Sequence, residues 1–230
     1  MSQTLQRIFA EVPHTYEALN HFLTFGQDIL WRRKAARAAA AGGKDLWLDA
    51  CGGTGEMTAC LARLAEAGTQ IVVADFSLPM MRKALARPEA GRVAFTSADV
   101  GHLPFRDSSF DALTISFATR NITTSREHLM VCLHEFYRVL KTGGRFVMLE
   151  TSQPKHGPIR RLFHVYVRVV VAPMGRLISG SPSAYEYLSN SMCNFYSPEE
   201  LGEILKEAGF RNGTFNSMLL GAAALHVATK

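Results

Sequence analysis

The stretch Asp49-Ala50-Cys51-Gly52-Gly53-Thr54-Gly55-Glu56 constrains this chain more than any other. It closes a short strand-like segment, Leu46 to Ala50, and opens a helical segment, Glu56 to Ala67. Glycines at 52, 53 and 55 permit a tight strand-to-helix turn and a close approach of backbone to a ligand. No Gly-Lys-Ser/Thr follows, which excludes a Walker A loop. The dinucleotide fingerprint G-x-G-x-x-G fits badly, because counting from Gly53 its third glycine falls on Thr58.

Around this loop, strand-like and helix-like segments alternate. A basic helical stretch, Gln27 to Ala41, carries Arg32, Arg33, Lys34 and Arg37 and stops at Gly42-Gly43. After the loop come a strand at Gln70 to Ala74, a helix at Pro79 to Ala86 and a strand at Val93 to Ser97. A strand at Asp111 to Phe117 and a helix at Ser125 to Leu140 follow, then a turn at Lys141 to Gly144 and a strand at Arg145 to Glu150. This alternation predicts a parallel sheet covered on both faces. Ser197-Pro198-Glu199-Glu200 reads as a capping box opening a helix that ends at Gly209. Two strands joined near Leu220-Gly221 close the chain. With 230 residues, 47% of them hydrophobic and 20% charged, one large core is expected. The predicted organisation is a single domain over 1–230. Its core spans 45–152 and 197–230, with an N-terminal cap at 1–44 and a substrate-side insertion at 153–196.

Two acidic residues punctuate the strands. Asp75 ends the second, where a carboxylate can accept hydrogen bonds from two ribose hydroxyls, and Asp99 follows the third, where it can meet an adenine amino group. Leu103-Pro104-Phe105 and Phe110-Asp111 then lead into the fourth strand. Taken in order with Asp49 to Gly55 and Lys141-Thr142-Gly143-Gly144, these segments resemble the class I S-adenosylmethionine (SAM)-dependent methyltransferases. The resemblance implies a Rossmann-like α/β fold, with a mostly parallel seven-stranded sheet, helices on both faces and an antiparallel last strand. It also implies SAM as cofactor, held by Asp49, Gly52, Gly53, Thr54, Gly55, Asp75, Phe76, Asp99, Val100 and Ser116.

Further segments resemble one family within that class, the C-methyltransferases of ubiquinone and menaquinone biosynthesis. They are Tyr16-Glu17-Ala18-Leu19-Asn20 with Phe25-Gly26 and Trp31-Arg32-Arg33, then Ile115 to Asn121, Tyr185 to Ser191 and Gly221 to His226. The chain departs from the family pattern at Thr15, Glu17, Cys51, Ala118-Thr119 and Asn190. The resemblance implies methylation of a ring carbon of a polyprenyl benzoquinol or naphthoquinol, with Tyr16, Asn20, Tyr185 and Tyr187 in contact with the acceptor. Two rivals remain open: a methyltransferase of another small molecule, and a SAM-binding protein without catalysis.

A carbon nucleophile needs an electron-rich ring. A phenol of pKa near 10 is about 3 units from ionised at pH 7, a deficit of roughly 4 kcal/mol. A cation or donor at the ring oxygen can offset much of it, and Arg120 is the best candidate, with Asn121 placed to orient the ring or a water. His14, His21 and His164 are candidate bases. No metal is expected, since His128 and His134 are six apart and share no helix face.

The remaining features bear on partners and location. Cysteines at 51, 60, 132 and 193 form no C-x-x-C pair, which points to a reducing compartment. The first residues lack an apolar signal segment, and the longest apolar run, Val165 to Pro173, is short and contains Arg168, so a cytoplasmic protein is expected. The insertion holds Lys155, Arg160, Arg161, Arg168 and Arg176 without acids between Ser152 and Tyr185, a composition suited to an anionic membrane surface. No basic stripe with stacking aromatics marks the sheet domain, so a small-molecule partner is expected and nucleic acid is not. A homodimer is admitted.

Overall fold

The protein, represented by a computed structural model, is described for residues 17, 20–173 and 189–230. Its strands are β1 (Leu46–Ala50), β2 (Gln70–Asp75), β3 (Val93–Ser97), β4 (Phe110–Ser116), β5 (Leu140–Thr151), β6 (Arg211–Met218) and β7 (Ala223–Thr229). Its helices are α1 (Gln27–Ala40), α2 (Glu56–Ala62), α3 (Leu78–Leu85), α4 (Thr119–Ile122), α5 (Arg126–Val139), α6 (Gly157–Tyr166) and α7 (Pro198–Glu207). One sheet contains all seven strands in the order β3-β2-β1-β4-β5-β7-β6. The first five are mutually parallel, and β7 runs antiparallel to β5 and β6.

The central strands are apolar on both sides because helices cover both. On one face Trp31, Ala35, Ala36 and Ala39 of α1 and Met57 and Leu61 of α2 pack with Trp47, Ala112 and Val147. On the other, Leu129, Leu133 and Phe136 of α5 and Leu201, Ile204 and Leu205 of α7 pack with Leu48, Leu113 and Phe146. Alternating strand residues therefore enter two separate cores, which is why β1 and β4 are mostly apolar on both faces. The chain order reverses between β1 and β4. In open parallel sheets a crevice forms outside the strand ends at such a point. Here Ala50 and Ser116 end at its floor.

Local signals account for most boundaries. Ser197 accepts from the Glu200 backbone N–H, and Glu200 accepts in return from that of Ser197, the reciprocal cap predicted from sequence. Two segments differ from expectation. Helix α2 ends at Ala62 rather than Ala67, because the N–H groups of Leu64 and Ala65 both turn back to the Leu61 carbonyl. The turn at 141–144 is a bulge inside β5: Leu140 pairs with Phe110, and pairing resumes at Arg145 opposite Ala112.

Residues 20–26 and the segment after β5 meet above the carboxyl ends of the strands. Helix α6 runs into a wider turn at Val167–Val171, where Val167 and Val171 pack with Cys193, Leu23, Phe163 and Met192. The Tyr166 hydroxyl donates to the Leu23 carbonyl at 2.6 Å, which joins the two segments. Among the described residues no helix is long and apolar enough to cross a membrane.

Candidate active site

The glycine loop lies where β1 meets α2. Cys51, Gly53 and Gly55 take positive φ of 54°, 56° and 82°. A Cβ on Gly52 would lie 2.7 Å from a Val73 methyl, so the loop needs glycine there for space as well as freedom. On Gly53 a Cβ would meet nothing nearer than 3.9 Å, so that residue faces open room. Asp75, at the end of β2, accepts from the Gly53 N–H at 2.8 Å and the Ser77 N–H at 2.7 Å. Burial pushes its carboxyl above the usual range, against the pull of those two donors.

These groups border a cleft of about 610 Å³. Of the sequence-predicted cofactor residues it brings together Gly52, Gly53, Thr54, Asp75, Phe76 and Ser116. The buried Ser77 hydroxyl also borders it and has no hydrogen-bond partner among the described residues. An acceptor carboxylate, an orphan hydroxyl and an open glycine face fit a ligand with hydroxyls and a nucleoside-sized body, as SAM has. The other four residues lie elsewhere. Asp49 sits beneath the loop, accepting from Thr58 Oγ1 at 2.5 Å and Thr114 Oγ1 at 2.9 Å. Gly55 turns against Ala84 of α3. Asp99 accepts from the Gly101 N–H at 2.9 Å, and Val100 packs into the core.

A second cleft of about 770 Å³ shares Arg32 and Phe117 with the first. Its wall is mainly apolar, from Leu23, Trp31, Phe163, Tyr166, Val171 and Met192. Arg120 and Asn20 line it. Tyr16, Tyr185, Tyr187, His14 and Arg176 lie outside the described residues. Asn121 borders the first cleft instead, so the Arg120–Asn121 pair is divided between the two. Successive helical residues point about 100° apart, and the single turn of α4 aims one side chain to each side. Arg120 is nearly buried, and its Nη1 donates to Glu150 Oε1 at 2.8 Å. Its Nε has no hydrogen-bond partner among the described residues.

Sequence reasoning missed the charge cluster where the clefts meet. Arg32 of α1 donates through Nη1 to Asp28 Oδ2 at 2.5 Å and pairs through Nη2 with Glu56 Oε2 at 2.9 Å. It also sits 5.0 Å from the centre of the Phe117 ring. The Asp28–Arg32 spacing of four on one helix face was the available signal. His21 lies between the two carboxylates, 2.8 Å from Asp28 and 3.2 Å from Glu56. Three ligand-type groups converge there, but the Arg32 guanidinium already occupies the place of a cation between the acids. His164 bonds Gln153 Oε1 at 2.8 Å and lines neither cleft. Glu17 ties the N-terminal segment to this region: it pairs with Arg87 at 2.8 Å, and Arg87 Nε donates to the Thr54 carbonyl.

The ubiE/COQ5 methyltransferase family matches the chain over residues 1–230. A demethylmenaquinone methyltransferase of Clavibacter sepedonicus is 39% identical over 226 residues, 97% of this chain and 89% of that protein. One from Thermus thermophilus is 39% identical over 222 residues, 96% of this chain and 98% of its own length. Among solved structures, a SAM-dependent methyltransferase from Thermotoga maritima superposes with a TM-score of 0.69 at 19% identity, covering 98% of this chain and 99% of that one. That likeness is one of fold.

The buried Asp49 carboxyl makes stability depend on pH. Burial outweighs its two hydroxyl donors and pushes it from 3.8 up to about 6. The folded state thus holds this proton more tightly than the unfolded chain. The associated stability is complete below the ordinary carboxylate range and is lost as pH rises through about 6. A shift of about two units corresponds to roughly 3 kcal/mol. In urea unfolding between pH 4 and 7.5, Asp49→Asn should show a pH dependence flatter than wild type by about that amount. Parallel pH curves would mean that Asp49 ionises as readily in the fold as in the unfolded chain.

Proposed function

The chain belongs to the ubiE/COQ5 methyltransferase family and is a SAM-dependent methyltransferase, and on that premise we propose that it methylates a ring carbon of a polyprenyl quinol. The observation that carries this reading is the shared wall of the two clefts. The glycine-loop cleft and an apolar cleft carrying Arg120 meet at Phe117 and Arg32. Bound SAM supplies a methyl group already activated by its sulfonium charge. The protein's main task is then to hold donor and ring together, an effect worth up to ~7–11 kcal/mol in favourable cases. The similar bacterial proteins act, by name, on demethylmenaquinone, which favours a naphthoquinol over a benzoquinol.

In this reading the whole chain works as one methyltransferase unit. Asp75, Thr54, Ser116 and the glycines hold the cofactor, and Ser77 adds a hydroxyl that the sequence did not single out. Asp49 and Gly55 contribute by shaping the loop. Asn20, with Tyr16, Tyr185 and Tyr187, belongs to the acceptor side. Arg120 faces the ring oxygen and stabilises the phenolate that develops there. Glu150 neutralises part of its charge and fixes its orientation, so Arg120 acts as an aimed donor. Asn121 acts from the cofactor side.

Paired variants separate these roles. Asp75→Ala should weaken SAM binding by ~1.5–3 kcal/mol, the range for hydrogen bonds to charged groups, as read by calorimetry on folded protein. Arg120→Met should bind SAM almost as wild type does, yet methylate a demethylnaphthoquinol ~10²–10³ more slowly. The rate loss should shrink at higher pH, where more acceptor ionises unaided. Normal turnover by Arg120→Met, or a loss of SAM affinity matching its loss of rate, would remove Arg120 from the acceptor side.

We also propose that the protein works at the surface of an anionic membrane, on its cytoplasmic side. Leu162, Val165 and Val169 are exposed at helical spacing along α6 and the following turn, beside exposed Arg160, Arg161 and Arg168. Phe22 and Phe25 are exposed on the adjoining segment, with Phe25 at 79%. Both segments also wall the acceptor cleft, through Leu23, Phe163 and Tyr166. Cosedimentation with anionic vesicles should therefore be strong at low salt and fall as salt rises, at about 1 kcal/mol per engaged charge. Leu162→Asp combined with Val165→Asp should abolish it. Equal binding to neutral and anionic vesicles, or none to either, would overturn the proposal.

A further inference from the structure

His21 is held between two acids at the junction of the clefts. Its Nδ1 lies 2.8 Å from Asp28 Oδ2 and its Nε2 lies 3.2 Å from Glu56 Oε1. Asp28 borders the acceptor cleft and Glu56 the cofactor cleft. Asp28 is buried, while the imidazole is about one-third exposed. A neutral imidazole has one N–H and can donate to only one of two carboxylates. The Nδ1 contact is the hydrogen bond, while Glu56 stands at ion-pair distance from Nε2, its carboxyl pushed up by burial against the pull of Arg32. The charged groups facing this contact are Asp28 and Arg32 from α1, Glu56 from α2, and Glu17.

Methylation of a quinol carbon releases a proton. A bond forms between the ring carbon and the methyl group. The sulfur–methyl bond breaks with its electron pair left on sulfur, and the displaced ring proton must depart for aromaticity to return. Among the described residues lining the acceptor cleft, Asp28 is the carboxylate, and His21 links it to the protein surface. We propose that Asp28, His21 and Glu56 form a proton relay, which takes up the proton released at the acceptor ring and passes it through the imidazole to solvent. Asp28 is the entry, His21 is the exit to solvent, and Glu56 beside Nε2 steadies the imidazole as it takes up the proton. Thr24 donates to Asp28 at 2.8 Å and Arg32 at 2.5 Å, and both keep the entry carboxylate in place. His21 is thus a positioning residue that acts through Asp28.

The inference rests on the quinol reading, and its test separates the two. The first readout needs no turnover. A positively charged ligand in the cofactor cleft disfavours a proton held at Glu56. Calorimetry of SAM binding to the full chain, in two buffers of unlike ionisation enthalpy, counts the protons displaced. Wild type should release a measurable fraction of a proton near neutral pH, and His21→Gln and Glu56→Gln should release almost none. The second readout is kinetic. His21→Gln should lower kcat on a demethylnaphthoquinol by roughly 10²-fold with KM little changed, and should flatten the acidic limb of the pH–rate profile. Added imidazole should restore part of the rate. Circular dichroism checks folding, and Glu56→Gln carries both readouts if His21→Gln does not fold. An unchanged proton count, or full kcat in the variants, overturns the relay. Wild-type protein that methylates no quinol overturns the functional reading, while the proton count still decides whether the three residues share a proton.

Discussion

A buried carboxylate in the middle of the sheet holds the elements on which both clefts depend. Asp49 leaves solvent entirely and accepts from Thr58 of α2 and Thr114 of β4 while standing on β1. These three elements meet at the point where strand order reverses, so one side chain fixes the angle at which the glycine loop leaves the sheet. The carboxyl is shifted upward because two hydroxyl donors do not fully replace the water it lost. An apolar residue there would leave both threonine hydroxyls without this acceptor beneath the loop, and an unsatisfied buried polar group costs about 1–3 kcal/mol. The same packing reaches Gly52, where an added Cβ would meet Val73 at 2.7 Å and an Asp49 oxygen at 3.1 Å. The loop's course is therefore set from below, by the strands and Asp49, and its upper face is left open.

The parts of this arrangement that are local in sequence were legible there. The strand–loop–helix unit at 46–62 and the cap at Ser197–Glu200 depend on neighbours a few residues apart. The acidic end of β2 was legible for the same reason, since a strand end fixes where its side chain stands. What was illegible depends on long-range geometry. Glu150, the partner of Arg120, lies 30 residues away on β5, and β5 is adjacent to β4 only because of the sheet order. The division of Arg120 from Asn121 follows from one turn of helix after β4, too short to show periodicity. His21 was one of three candidate bases with nothing in the sequence to set it apart from His14 and His164, until α1 and α2 brought Asp28 and Glu56 to either side of it.

Arg32 explains how those acids are tolerated. Two carboxylates packed between two clefts would repel one another as they ionised. The guanidinium donates to Asp28 through one nitrogen, pairs with Glu56 through another and lies over the Phe117 ring, a planar arrangement that lysine could not reproduce. Its ion pair with Glu56 draws α1 and α2 together at the end nearest the clefts. The apolar contacts of Trp31, Ala35 and Ala36 join the two helices farther along. The cluster is thus structural and electrostatic at once.

The placement of apolar surface follows from the acceptor's own chemistry. Each isoprene unit of a prenyl tail carries five carbons, and moving it from lipid to water costs roughly 4 kcal/mol at about 0.8 kcal/mol per carbon. A tail of several units cannot be drawn into water at any useful rate. On the proposed reading the tail stays in the bilayer while the ring reaches Arg120, which places the mouth of the cleft at the membrane interface. The segments that wall the cleft on its inner side, 20–26 and α6, are the ones that present exposed Phe22, Phe25, Leu162 and Val165 on the other. The Tyr166–Leu23 hydrogen bond holds these two segments as one edge. Seating that edge in the headgroup region would bring the cleft to the ring's depth, and arginines on α6 would find anionic phosphates at the same level.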